Sequence, residues 1–219
     1  MDHAPTASPP TLAVADLCLW RGERCLVDGL GFRVAAGEAL WLRGANGVGK
    51  TSLLRVLAGL VRPERGAIAW RGRDPWLHAA EFRAELLFVG HLDALKRALS
   101  ARENLAVDGA LRGSVSAAAV EVALAALGVA AVADLPVAQL SAGQRRRVAL
   151  ARLALSRAAL WLLDEPTTNL DADGQGAVAS LVAAHLAGGG LAVIASHLPL
   201  QLGAAQHELE LAPLRARAA

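Results

Sequence analysis

A glycine-rich segment in the first quarter of the chain has the residue types of a phosphate-binding loop. Residues 44–51 read GANGVGKT and match the pattern G-x-x-x-x-G-K-[ST]. Glycines let backbone N–H groups turn toward phosphate oxygens, and the start of the following helix adds positive potential. Lys50 is expected to reach the β- and γ-phosphates of a nucleotide, and the Thr51 hydroxyl to ligate Mg²⁺. The predicted phosphate-binding residues are Gly44, Ala45, Asn46, Gly47, Val48, Gly49, Lys50, Thr51 and Ser52.

Two carboxylates follow an apolar run later in the chain. Residues 160–163 (LWLL) lead directly into Asp164 and Glu165. Asp164 is expected to hold Mg²⁺ through water, and Glu165 to polarise the attacking water as a general base. Taken alone, the pair fits two solvated acids in a turn equally well. The phosphate loop in the same chain favours the catalytic interpretation.

Short apolar segments alternate with helical patterns around these motifs. Runs at 39–43, 86–89, 160–163 and 191–195 read as buried strands, and 50–60, 141–156 and 171–187 read as helices. Fully apolar strands that alternate with helices predict an α/β fold with a mainly parallel sheet covered on both faces. Weaker strand patterns occur at 12–19, 30–34, 67–70 and 208–211, and 75–85 reads as a helix.

Strand patterns vanish between residues 91 and 136, where Ala, Leu and Glu dominate. This predicts a helical insertion of about 45 residues, longer than an ordinary connection. Its most apolar part, 117–133, contains Glu121 and Gly128 and predicts a packed helix pair rather than a membrane span.

Composition excludes several classes of protein. Of the 219 residues, 54% are hydrophobic and 19% charged, which suits one folded domain and argues against disorder. The net charge of +2 is too small to indicate a nucleic-acid surface. Cys18 and Cys25 form neither a disulfide framework nor a metal pattern. Residues 1–10 are expected to be a disordered leader without the pattern of a signal peptide.

A third motif, LSAGQ at 140–144, precedes a helix that begins with three arginines. By itself it indicates only a capped helix start. The order of phosphate loop, helical insertion, LSGGQ-like signature, acidic pair and a following His197 resembles the nucleotide-binding subunits of ABC transporters. The resemblance spans about residues 11–200. It implies a P-loop NTPase of ABC type with a mainly parallel central sheet flanked by helices, an N-terminal antiparallel β part and an inserted helical lobe.

The resemblance also implies a domain organisation and an assembly. A single ATPase domain would span 11–219, with a helical subdomain at about 91–156. Two copies would form a head-to-tail homodimer that closes around two ATP molecules. The signature of one protomer would contact the γ-phosphate in the other, and Asp171 would lie in the dimer-contact loop. The signature residues are Leu140, Ser141, Ala142, Gly143 and Gln144, with Ala142 where the family usually has Gly.

Three further residues stand at positions where the family has a residue with a known role. His197 stands where the family has its switch histidine, which contacts the γ-phosphate, although a strand-end surface histidine is the plain alternative. Trp20 stands where the family stacks an aromatic ring on adenine, although a core tryptophan is the alternative. His91 replaces the usual Gln; a neutral imidazole would accept a bond from Mg²⁺-bound water, whereas a protonated one would oppose the metal. The remaining histidines are predicted to lie on the surface: His3, His78, His185 and His207.

Three segments carry a closer resemblance: NGVGKTSLLRVLAGLVRPERGAIAW at 46–70, LLFVGHLDALKRALSARENL at 86–105 and LSAGQRRRVALARLAL at 140–155. Together they are most similar to the ATP-binding subunits of the haem-export system of bacterial cytochrome c maturation. This implies a peripheral protein on the cytoplasmic side of the inner membrane, bound to integral membrane subunits. No direct haem site is expected, because the sequence has neither an axial-ligand motif nor C-x-x-C-H, and no nucleic-acid partner is expected. Three alternatives remain: a lipid, drug or ion transporter subunit, a soluble ABC ATPase acting on DNA or ribosomes, and a non-hydrolysing regulator, against which Glu165 argues.

Overall fold

The computed structural model describes residues 9–113, 115–202 and 205–212. The strands are β1 Thr11–Arg21, β2 Arg24–Ala35, β3 Ala39–Arg43, β4 Arg65–Trp70, β5 Leu86–Val89, β6 Leu160–Asp164, β7 Leu191–Ala195 and β8 Gln206–Glu210. The α-helices are α1 Lys50–Leu57, α2 Ala79–Ala84, α3 Ala101–Arg112, α4 Ala117–Ala126, α5 Ala142–Leu155 and α6 Ala172–Ala187. Two 3₁₀ turns, Ala130–Val132 and Val137–Gln139, lie between α4 and α5.

The larger sheet has the strand order β5-β6-β7-β3-β8, and its neighbouring strands pair in parallel. Strands β6 and β7 are buried along their whole length, which explains their unbroken apolar sequences. The carboxyl ends of parallel strands lie at one edge of a sheet. The phosphate loop, His91, the acidic pair and His197 each follow a strand of this sheet, so they all come to that edge. The predicted α/β class with a mainly parallel sheet is confirmed.

The smaller sheet is antiparallel and has the order β2-β1-β4. It confirms the expected antiparallel β part. Its strands are longer than the sequence pattern predicts, and β2 begins at Arg24 rather than at residue 30. The alternation of apolar and polar residues is weak there because shifts in register interrupt the β1–β2 pairing.

The region between β5 and α5 contains the predicted helices, but they begin at Ala101, and residues 90–100 form no helix. Leu105 of α3, Leu124 of α4 and Leu150 of α5 are fully buried in one shared core. The apolar stretch 117–133 forms α4 and one 3₁₀ turn rather than two packed helices, because Gly128 has a left-handed φ of +66° between them. None of the helices in the described ranges is long and apolar enough to cross a membrane.

Two predicted helices are shorter than the sequence suggests. Helix α1 ends at Leu57 rather than at residue 60, because Gly59 adopts a left-handed φ of +70°. Helix α2 covers Ala79–Ala84 rather than 75–85, because the Asp74 carboxylate accepts the backbone N–H of Trp76 and holds a turn there. The predicted leader lies largely outside the described residues; Pro9 and Pro10 have no regular structure.

His185 is partly buried by packing rather than freely exposed on the surface, which corrects the prediction. Its ring stacks on Trp161 with a centroid separation of 3.9 Å and an interplanar angle of 6°. Its Nε2 atom lies 3.1 Å from the carbonyl oxygen of Leu191. Burial lowers the pKa of His185 below its usual 6.5, and the Leu191 hydrogen bond opposes this effect. No local sequence pattern indicates this contact, because Trp161 lies in β6 and His185 in α6.

We expect this histidine to make the free energy of unfolding fall as the pH drops below about 6.5. The unfolded chain takes up a proton on His185 in that range, whereas the folded chain resists it; above the range both states are neutral and the effect vanishes. Urea unfolding at pH 7.5 and pH 5.5 measures the change. The His185→Phe variant, which keeps an aromatic ring, should lose less stability on acidification than the native chain. An equal loss in both proteins would contradict the assignment.

Candidate functional site

The phosphate loop connects the end of β3 to α1 and depends on glycines for its shape. Gly44 has a φ of +139°, and a Cβ atom there would lie 2.5 Å from the carbonyl oxygen of Leu211. Gly49 has a φ of +124° and packs against Leu26. Both positions therefore require glycine, for conformation and for space. The loop brings the amino end of α1 to the carboxyl edge of the sheet, where helix N–H groups attract anions.

Lys50 is the first residue of α1, and only 7% of it is exposed. Its Nζ atom donates a hydrogen bond to the carbonyl of Gly44 at 2.7 Å and lies 4.0 Å from Oε1 of Glu165. This hydrogen bond holds the lysine beside the loop backbone, which is where a phosphate-binding lysine is required.

Thr51 and Asp164 meet although 113 positions separate them in the chain. The Thr51 hydroxyl donates to Oδ2 of Asp164 at 2.8 Å, and only 1% of Asp164 is exposed. A hydroxyl and a carboxylate are oxygen donors of the kind that Mg²⁺ prefers, with substrate phosphates and water as its other ligands. The two residues thus fit a Mg²⁺ site. The described residues contain no cluster of three or more His, Cys, Asp or Glu that could hold another metal.

Glu165 adopts a left-handed φ of +48°, which is unusual for a residue with a side chain. Its backbone N–H donates to the carbonyl of Ala195, the last residue of β7, at 2.7 Å. Its Oε1 atom lies 3.3 Å from Nε2 of His197. The strained backbone turns the carboxylate away from β6 and toward the lysine and the histidine.

These residues line one cavity of about 410 Å³. It contains most of the predicted phosphate-loop residues together with Asp164, Glu165, His197 and His91. Sequence analysis missed Arg21, Leu26 and Thr168, which also line it. Arg21 and Leu26 come from the hairpin between β1 and β2, which no local motif marked, whereas Thr168 lies only three residues after Glu165.

Comparisons with known proteins agree with this geometry. The family model described as ABC transporter matches residues 27–168. The chain belongs to the ABC transporter family. Nucleotide binding and ATP hydrolysis coupled to transport follow from that membership.

Named relatives refine the family assignment. The cytochrome c biogenesis ATP-binding export protein CcmA of Methylococcus capsulatus is 46% identical over 83% of this chain and 88% of that protein. The protein of the same name from Rhodospirillum rubrum is 45% identical over 89% of this chain and 83% of its own length. A bacterial Atm1-family ABC exporter with ATP bound has a TM-score of 0.81 over 97% of this chain and 40% of that chain, at 24% identity, and supports the fold alone.

The ABC signature forms a capped helix start at α5. The Ser141 hydroxyl accepts the backbone N–H of Gln144 at 3.2 Å, and the Gln144 side chain accepts the N–H of Ser141 at 2.9 Å. Ala142 takes the first helical position without disturbing this arrangement. The signature residues 140–144 are all described, and none of them lines the nucleotide cavity of their own chain. Leu140 is buried in the core of its own chain, whereas Ser141 and Ala142 are exposed, so the helix start is accessible from outside.

Arg146 is a buried residue beside the site that sequence analysis did not single out. Only 3% of it is exposed, and it donates to the carbonyls of Gly90, Asp164 and Glu165 at 3.1, 3.1 and 2.8 Å. Burial lowers its pKa, and the nearby Asp93 opposes that shift. Arg146 therefore connects the signature helix to the ends of β5 and β6. The arginine run at 145–147 was a signal, although nothing local showed which arginine points inward.

We expect Arg146→Gln to lower the free energy of unfolding by about 2–4 kcal/mol, because several buried carbonyls would lose a charged donor. The melting temperature should fall by at least about 4 °C, with ATPase activity falling as well. Thermal unfolding followed by circular dichroism measures the change. The exposed Arg97→Gln serves as control, and equal melting temperatures for both variants would contradict the assigned role.

Two other predicted ABC residues lie apart from the cavity lining. Asp171 caps α6 by accepting the N–H of Gly174 at 2.9 Å and pairs with Arg147; these two contacts lower its pKa. Trp20 is 41% exposed, and its indole N–H donates to Sγ of Cys18 at 3.2 Å. Trp20 does not itself line the cavity, although the adjacent Arg21 does. Its adenine contact stays a prediction.

Proposed function

We propose that the chain is the ATP-hydrolysing subunit of a transporter that handles haem for the assembly of c-type cytochromes. The observation that carries this proposal is the 43–46% identity, over most of the chain, to several proteins named for cytochrome c biogenesis and export. The cavity supports the ATP-hydrolysing part independently of those names, because it unites a phosphate loop with a buried metal-type carboxylate and a second acid.

In the proposed site, ATP lies along the phosphate loop with its γ-phosphate toward Lys50 and Glu165. Bound Mg²⁺ would neutralise phosphate charge beside Thr51 and Asp164. Glu165 accepts a proton from the attacking water. His197, whose Nε2 lies 3.3 Å from the Glu165 carboxylate, holds that carboxylate in place.

The proposed assembly is a head-to-tail homodimer on integral membrane subunits, at the cytoplasmic side of the inner membrane. The signature residues lie outside their own cavity and present a helix start, which suits contact with a γ-phosphate held by a second protomer. Hydrolysis breaks the bond between the β- and γ-phosphates, and release of the free phosphate then removes its negative charge from between the protomers and lets them separate. His91, exposed at the rim of the cavity, is proposed to relay this change toward the membrane subunits.

The test uses host cells in which Lys50→Ala is the only copy of the gene. A haem-stained gel of their membranes should lack c-type cytochromes, while other haem proteins persist. Arg55→Ala is the matched control, because Arg55 is an exposed basic residue on the same helix α1. Normal c-type cytochromes in the Lys50→Ala cells would overturn the haem assignment and leave a transporter of another substrate.

A further inference from the structure

A second large cavity, which we call the basic cleft, lies between α2, the carboxyl-terminal part of α3, the end of α5 and the chain that follows α5. Its volume is about 620 Å³, and it shares no lining residue with the nucleotide cavity. Its described lining residues include one carboxylate, that of Asp108, and four arginines: Arg83, Arg112, Arg152 and Arg157. The cleft therefore carries a net charge of 4 − 1 = +3.

Arg152 is the buried charge of the basic cleft, with only 9% of the residue exposed. It forms no hydrogen bond or ion pair with any of the described residues, and its Nε atom is fully buried without a partner. Burial lowers its pKa; Asp108 opposes that shift and Arg112 adds to it. An unpaired buried guanidinium is costly, and an anion that pairs with it offsets part of that cost.

Asp108 lines the same cleft but does not neutralise Arg152. Its carboxylate already accepts a hydrogen bond from Arg112 at 3.3 Å, one helical turn away. Arg83 and Arg157 lie exposed at the rim and, within the described part of the chain, have no ion-pair partner. The positive charge of Arg83, Arg152 and Arg157 is therefore not paired with a carboxylate among the described residues.

We propose that the basic cleft is an oxyanion site, in which a carboxylate or phosphate group binds to Arg152 and Arg112 between the rim arginines Arg83 and Arg157. Arginine binds both groups through paired N–H donors. Leu111 and Leu155 also line the cleft and give it an apolar side, so an anion attached to carbon fits better than a bare ion. The anion comes either from a small molecule or from an acidic side chain of the transporter's membrane subunit.

The first arm of the test titrates citrate and pyrophosphate into the purified chain by calorimetry. The double variant Arg83→Gln/Arg157→Gln should bind at least about tenfold more weakly, since two positively charged donors to the anion are lost. These rim residues are preferable to Arg152, whose replacement risks unfolding the chain. Asp108→Asn should bind more tightly, because it frees Arg112. Lys50→Ala should retain this binding, which separates the cleft from the phosphate loop, and Arg97→Gln should behave as the native chain.

The second arm co-expresses the chain with the membrane subunit of its transporter and therefore rests on the proposed function. The double variant should co-purify at least about tenfold less, and the native complex should weaken as salt is raised. Small-anion binding that the rim variants abolish supports a small-molecule source. Loss of the complex without small-anion binding supports a side-chain source. If the rim variants change neither measurement, the oxyanion site is wrong, whereas the proposed ATPase function would still stand.

Discussion

Replacing Glu165 with Gln is expected to lower kcat for ATP hydrolysis by about 10²–10⁴-fold, the usual contribution of a general base. The amide keeps the size of the side chain and its contact with His197, but it does not accept a proton at neutral pH. ATP affinity should change little, because Glu165 contacts Lys50 only at 4.0 Å and does not form the phosphate loop. The variant should therefore bind ATP and fail to turn it over.

The measurement combines steady-state phosphate release with size-exclusion chromatography in MgATP. The variant should accumulate as a dimer with ATP, because the unhydrolysed γ-phosphate remains bound between the two protomers. Glu121→Gln is the control: Glu121 pairs with Arg102 on the helical surface, where such pairs contribute little. Full ATPase activity in Glu165→Gln would show that another group activates the water.

Replacing Lys50 with Ala is expected to weaken ATP binding by about 10–100-fold, which corresponds to about 1.5–3 kcal/mol for hydrogen bonds to a charged group. The lysine is nearly buried beside the loop, where water screens its charge poorly. Its removal also frees the carbonyl of Gly44, which accepts its hydrogen bond. The loss should be larger for ATP than for adenosine, which carries no phosphate.

Calorimetric titration with ATP, ADP and adenosine measures this difference directly. Arg55→Ala should bind ATP as the native chain does, because Arg55 projects from the exposed side of α1. Melting temperatures without nucleotide should show that Lys50→Ala is folded. Unchanged ATP affinity in a folded Lys50→Ala protein would contradict the phosphate-loop assignment.

The sequence alone predicted those parts of the site whose chemistry is local. The phosphate loop is one contiguous segment, and its glycines, lysine and threonine act through the backbone that they themselves shape. The capped helix start at Ser141 is local too, since its hydrogen bond with the Gln144 N–H spans three residues. Apolar runs for β3, β5, β6 and β7 were likewise readable, because strands buried on both faces have continuous apolar sequence.

Tertiary structure alone decided which distant residues meet. The strand order β5-β6-β7-β3-β8 brings Asp164 to Thr51 and His197 to Glu165, and no local pattern encodes that order. The inward direction of Arg146, the stacking of His185 on Trp161 and the arginines of the basic cleft depend in the same way on helices packed from separate segments. Local sequence determines backbone shape and the chemistry of short motifs, whereas contacts between distant segments follow from how complete elements pack together to bury their apolar faces.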